Sequence, residues 1–265
     1  MSSSTILVTR DVDVCGVTTL TLNRPESRNA MSLAMVDELL AALAAAASDG
    51  VSRVSVLRGA GGHFCSGGDL KDMAAARSGG VDGIAAVNRR FGELCAAVVA
   101  SPLAIVAVLE GGVMGGGFGL ACAADVALCD TSANFRLPET SLGLVPAQIA
   151  PFLVERLGYS QAKRLAVTGG RIDGKTAVKI GLVHECFADT AALDAGLTSV
   201  IGDILKCAPQ ALAATKQLVA RARLNTPASL IDDAAKAFAT AATSAEGTEG
   251  VMAFVQKRSA NWATK

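Results

Sequence analysis

Two glycine-rich turns constrain this chain more than any other feature. His63-Phe64-Cys65-Ser66-Gly67-Gly68-Asp69-Leu70 follows the β-branched run 54–58, and Gly111-Gly112-Val113-Met114-Gly115-Gly116-Gly117-Phe118-Gly119 follows the apolar run 104–109. Each leads into a stretch that reads as helix or helical turn. Glycine tolerates positive φ and lets a ligand reach the main chain. A helix N-terminus presents unbonded N–H groups and a partial positive charge. One N–H from each turn, aimed at one point, makes an oxyanion hole. Taken singly, either turn reads equally well as a tight turn beneath a closely packed helix.

The runs around these turns predict strands over 6–10, 17–22, 54–58, 104–109 and 126–129. Leu33, Val36, Leu39, Leu40 and Leu43 fall at helical spacing; Ser32 is placed to cap that helix, and Asp49-Gly50 to end it. A polar stretch over 69–83 precedes a helix over 84–100. From about 151 onward the reading is helical, over 152–157, 160–167, 174–180, 193–207, 209–223, 229–242 and 246–257. Strands joined by helices argue for an α/β core with a mainly parallel sheet and right-handed crossovers, followed by a helical C-terminal part. With 265 residues there is material for one large domain or one domain and a small appendage. We divide it into a core at 1–200, holding the functional site, and a helical region at 201–265.

Composition narrows the function. Lys+Arg and Asp+Glu number 24 each, and aromatics are 4%. Such a chain has no general pull on nucleic acid or anionic membrane and offers no base-stacking platform. Seven cysteines without a C-x-x-C pair predict reduced thiols and a cytoplasmic protein. The start MSSSTILVTR lacks the features of a signal peptide, and no apolar run reaches the ~18 residues of a membrane span. His63 and His184 are the only histidines and stand apart from any acidic or cysteine cluster, so no metal is expected. Gly169-Gly170-Arg171-Ile172-Asp173-Gly174-Lys175-Thr176 satisfies the P-loop pattern, but a helical stretch precedes it where the mechanism needs a strand. The glycine run lacks the acidic partner of a dinucleotide loop, and no G-x-S-x-G elbow exists.

Several motifs occur in a characteristic order: Asn23-Arg24-Pro25-Glu26 with Asn29-Ala30-Met31, then Phe64-Cys65-Ser66-Gly67-Gly68-Asp69-Leu70, Gly115-Gly116-Gly117, and Pro138-Glu139 with Gly143. Thr168-Gly169, Gly181-Leu182-Val183 and the segment 249–258 continue the series. In order and spacing the chain resembles the crotonase (enoyl-CoA hydratase/isomerase) superfamily over essentially its whole length. The resemblance implies a spiral of ββα units with a C-terminal helical trimerisation region, forming homotrimers or dimers of trimers. It implies that Gly68 and Gly116 supply the oxyanion-hole N–H groups. Ser27, Arg28, Ser66, Asp69 and Leu70 would line the path of coenzyme A, and Phe254 and Lys257 would meet the coenzyme A of a neighbouring subunit. The partner is an acyl-CoA substrate, and no cofactor is implied beyond the coenzyme A carried by the thioester.

Hydratases of this superfamily commonly carry two glutamates. At the position of the first, this chain has Gly119, which cannot transfer a proton; at the second it has Glu139. An apolar setting would raise the pKa of Glu139 toward neutrality and suit it to acid–base work, although a solvated loop glutamate after Pro138 would look the same in sequence. One carboxylate could add water at Cβ or shuttle a proton between carbons. The segments 118–122, 142–152 and 181–185 are similar to bacterial hydratases of 3-branched glutaconyl-CoA esters. The resemblance therefore implies hydration of isohexenylglutaconyl-CoA or 3-methylglutaconyl-CoA, the larger substrate being favoured by apolar residues near Met114 and Phe118. A Δ3–Δ2 enoyl-CoA isomerase and a degenerate acyl-CoA-binding protein stay open. Lys71, Arg77, Arg89 and Arg90 are candidate partners for a distal substrate carboxylate.

Overall fold

A computed structural model describes residues 7–263. The elements in order are β1 (Val8–Val12), β2 (Val17–Leu22), α1 (Leu33–Ser48), β3 (Val54–Gly59), α2 (Leu70–Ala76), α3 (Gly80–Ala100), β4 (Ala104–Leu109), β5 (Gly112–Met114), α4 (Gly116–Ala123), β6 (Val126–Asp130) and β7 (Asn134–Arg136). The second half contains α5 (Ala150–Thr168), β8 (Arg171–Asp173), α6 (Gly174–Lys179), β9 (Glu185–Phe187), α7 (Thr190–Leu205), α8 (Pro209–Ala222), α9 (Ile231–Thr243) and α10 (Ala245–Val255). The molecule is an α/β fold with a parallel-rich sheet and a C-terminal helical region.

The main sheet has the order β1-β2-β3-β4-β6-β9; only the β1–β2 pair is antiparallel. All six residues of β4 are buried, as expected of a parallel strand covered on both faces. Alternation divides them between two cores. Ile105, Ala107 and Leu109 face one core with Leu39, Leu94 and Phe118, whereas Ala104, Val106 and Val108 face another with Leu193, Leu197 and Leu205 of α7. The division expected at 200/201 falls inside α7, whose Leu205 still packs on the sheet.

β2 and β4 have the bounds the β-branched runs predict, and Ser32 caps α1 by accepting a bond from Met35 N. Of the run predicted at 6–10, Ile6 lies outside the described residues, and the strand continues to Val12. The helix expected from 84 begins at Gly80. Those expected at 152–157 and 160–167 are two helical stretches of α5, separated at Gly158, whose φ 70° and ψ 159° are not helical. Four strands, β5, β7, β8 and β9, were not expected; each has three residues, too few to carry a periodicity. β5, β7 and β8 form a second small sheet. The P-loop-like run spans β8 and the first turn of α6, where the Asp173 carboxylate already accepts from Thr176 N. Among the described residues no helix is long and apolar enough to cross a membrane, and no group of three or more side chains could hold a metal ion.

Candidate active site

The segment from Arg24 to Met31 is a cradle for the first glycine turn. Arg28 and Asn29 both adopt left-handed backbone, φ 51° and 56°, a conformation asparagine tolerates better than most residues. Fully buried Asn29 then binds three ways: its Oδ1 accepts from Arg24 N at 2.8 Å, and its Nδ2 donates to Ala60 O at 2.9 Å and His63 O at 2.6 Å. Ser66 donates its N–H to Arg28 O and its hydroxyl to Ser27 O, both at 3.0 Å. Met31 N donates to Gly67 O, and Asp69 N to Met31 O. Gly68 lies between these bonds, and its own N–H has no backbone partner among the described residues.

Asp69 caps α2 through Lys71 N and pairs with Arg24 at 2.8 Å. Burial works against its ionisation, but these bonds hold its carboxyl below the ordinary aspartate value. The turn is therefore fixed by a neutralised carboxylate rather than by a free charge.

The second turn joins the first directly. Cys65 N donates to Gly112 O and Met114 N to Cys65 O, which lays β5 along the first turn. Buried burial-shifted Cys65, its thiol pushed up to about 11, packs so closely on α4 that a Cβ on Gly117 would stand 2.7 Å from its own Cβ. Gly115 has φ 50° and ψ −113°, which turns the chain into α4 and leaves Gly116 N at the helix start. A Cβ on Gly115 would lie 3.1 Å from Glu139 Oε1 and 3.6 Å from Gly67 Cα. Both turns and the carboxylate thus converge.

Glu139 is the first residue of a helical turn after Pro138. Its Oε2 is buried and has no hydrogen-bond partner among the described residues, and burial raises its pKa above the ordinary glutamate value. It lines a cavity of about 530 Å³ together with Gly67, Gly68, Gly115 and Gly116. The remaining wall is mainly apolar, from Met73, Val81 and Ile84 on one side to Leu144, Val145 and Ile149 on the other.

Gly119 has a packing reason. A Cβ there would stand 2.3 Å from Ile149 Cγ2, and the Phe91 ring lies beside it. Ile149 therefore occupies the space into which a side chain at 119 would extend. Gly119→Glu is expected to lower stability by about 1–3 kcal/mol through overpacking, with no gain in turnover. Thermal melts and enoyl-CoA assays of the variant check this.

The other expected residues divide. Ser66, Asp69 and Leu70 line the cavity; Ser27 and Arg28 do not, and contribute carbonyls to Ser66 instead. Phe254 is 86% exposed near the end of α10, and Lys257 lies beyond it with φ 53°; neither reaches this cavity. Met114 and Phe118 do not line it either. Phe118 is buried edge-on against Phe135, so the apolar wall comes from Met31, the start of α1, α2, α3 and the 142–149 segment, not from the glycine run. None of Lys71, Arg77, Arg89 and Arg90 faces the cavity, and Arg90 is engaged by Asp37 and Glu93. His63 and His184 each accept a backbone N–H through Nδ1, at 3.0 Å from Gly112 and Ala127. Sequence reasoning missed Phe91, which carries no local motif, and gave Gln148 and Ile149 no role beyond their place in the 142–152 segment.

Comparison with known proteins agrees in extent. The family model described as enoyl-CoA hydratase/isomerase matches residues 14–265. The 2,3-dehydroadipyl-CoA hydratase of Escherichia coli K12 is 32% identical over 240 residues, 90% of this chain and 92% of that protein. The peroxisomal Δ(3,5)-Δ(2,4)-dienoyl-CoA isomerase of Arabidopsis thaliana is 33% identical over 217 residues, 77% of each chain. The structure of Pseudomonas aeruginosa AtuE superposes with a TM-score of 0.95 at 52% identity, covering 98% of this chain and all of that one.

Proposed function

From the premise that the chain belongs to the enoyl-CoA hydratase/isomerase (crotonase) superfamily, we propose that it adds water across the 2,3 double bond of a branched enoyl-CoA. The product is a 3-hydroxyacyl-CoA. The substrate we favour is a 3-substituted glutaconyl ester, isohexenylglutaconyl-CoA before 3-methylglutaconyl-CoA.

The observation that carries this reading is the unpartnered Glu139 carboxylate in one cavity with the free N–H groups of Gly68 and Gly116. In the mechanism, the thioester oxygen accepts from the two amides. Glu139 takes a proton from water as the oxygen attacks C3. Electron density moves to the thioester oxygen as an enolate, which the amides stabilise. Glu139 then returns the proton to C2. One group serves both transfers, since Gly119 supplies none. The mainly apolar wall from Met73, Val81 and Ile84 to Leu144 and Val145 supports a branched acyl group. The name of the E. coli relative specifies an acyl group with a second carboxylate, which supports an acid-bearing substrate.

A second reading, double-bond isomerisation, has the same single carboxylate and the similarity to the Arabidopsis isomerase in its favour. Turnover in oxygen-18 water separates the two. Hydration puts the label into the 3-hydroxyl; a product free of label overturns hydration in favour of isomerisation. Absence of turnover on straight, 3-methyl and glutaconyl-type esters would favour an acyl-CoA-binding protein.

We also propose a homotrimer or dimer of trimers. Its support is the apolar surface of the C-terminal helices, where Ile231, Phe238, Val251, Phe254 and Val255 are exposed. In that assembly Phe254 and Lys257 would reach a neighbour's coenzyme A. The composition supports a cytoplasmic enzyme.

A further inference from the structure

In a wall built from leucine, valine and methionine, the polar side chains are the informative exceptions. Beyond the two glycine turns and Glu139 they are Asp72, Asn88 and Gln148, and among the described residues no lysine, arginine or histidine joins them. Asp72 is engaged, its Oδ2 accepting from Leu33 N at 2.6 Å. Asn88 and Gln148 remain as uncharged donors facing the cavity.

Gln148 has a place made for it. A Cβ on Gly92, in the interior of α3, would stand 2.1 Å from Gln148 Oε1 and 2.7 Å from its Cδ. Glycine inside a helix costs stability, and here it leaves room for an amide to lie on the helix surface. Asn88 stands one turn earlier on the same face of α3. The two amides therefore share one stretch of wall.

Resting on the hydratase reading above, we propose that Gln148 and Asn88 form the subsite for the second carboxylate of a glutaconyl-type acyl group. Each amide offers two N–H donors, and hydrogen bonds to an ionised acceptor are the stronger kind. They can hold a carboxylate where the wall supplies no countercharge. The apolar branch then lies along Met73, Val81, Ile84, Leu144 and Val145. Selectivity for the acid arises from donors rather than from a cation, so it should depend weakly on salt.

The test compares 3-methylglutaconyl-CoA with 3,5-dimethyl-2-hexenoyl-CoA, in which an isopropyl group replaces the carboxylate at similar size. Wild type is expected to prefer the acid in kcat/KM. Gln148→Met, which keeps length but cannot donate, should cut the acid-to-neutral ratio by about tenfold or more, and Gln148→Glu should cut it further by repulsion. Gly92→Ala, which crowds the amide, should lower the ratio while raising Tm. An equal loss on both substrates would overturn the proposal and make Gln148 part of the hydration chemistry. A ratio unmoved by these variants, or a wild type that hydrates both esters equally, overturns it too. A wild type that hydrates neither ester but does hydrate straight-chain enoyl-CoA overturns the proposal alone; one that hydrates none of them removes the hydratase reading itself.

Discussion

Glu139→Gln is expected to reduce kcat by about 10²–10⁴-fold, the range for loss of a positioned acid–base group. The loss should come without a loss of fold. Oε2 of Glu139 is buried and makes no hydrogen bond with the described residues, so an amide of nearly the same shape breaks none there. The sign of the pH effect follows from burial. Burial raises the folded-state pKa of Glu139 above the ordinary 4.5, so the folded chain holds this proton more tightly than the unfolded chain does. Its ionisation therefore subtracts stability as pH rises through that range, and the glutamine variant should melt no lower than wild type at neutral pH. For catalysis, the group must be ionised to accept a proton from water. The acid limb of kcat/KM is thus expected above pH 4.5 and should vanish from the residual activity of the variant. A variant with full turnover and an unchanged pH profile would remove Glu139 from the chemistry.

Gly115→Ala should be nearly as damaging, for a different reason. Gly115 has φ 50° and ψ −113°, a combination side-chain-bearing residues rarely adopt, and holding alanine there costs about 1–3 kcal/mol. The new methyl group would also fall 3.1 Å from Glu139 Oε1 and 3.6 Å from Gly67 Cα. The carboxylate and the two turns cannot all keep their positions around it. Since a misplacement of about 1 Å can cost about 10²-fold in rate, kcat should fall by about that factor even where the protein remains folded. Circular dichroism and melting temperature separate the two effects. Native turnover in a folded Gly115→Ala protein would mean that the convergence of turns and carboxylate is not needed for activity.

What was legible in the sequence depends on how local each signal is. The long β-branched runs of β2 and β4, the Ser32 cap and the glycine turns are local, and each stands where the residues placed it. Gly68, Gly116 and Glu139, named from motifs far apart in the chain, share one cavity. The three-residue strands are different, because β5 exists only through its pairing with Cys65 and with β7. Pairing of that kind leaves no trace in composition. Gly119 could be read as a missing acid, yet its packing reason lies 30 positions away in Ile149. A still longer separation hid the packing of Gln148 against Gly92. Met114 and Phe118 misled because an apolar residue next to a glycine turn can face the core as easily as a ligand.

The most direct test is a crystal structure with the 3-hydroxyacyl-CoA product bound. The thioester oxygen should lie about 2.7–3.1 Å from both Gly68 N and Gly116 N. A Glu139 carboxylate oxygen should then lie about 2.6–3.2 Å from the 3-hydroxyl. A thioester oxygen bound by water or by a side chain instead, or a hydroxyl out of reach of Glu139, would contradict it.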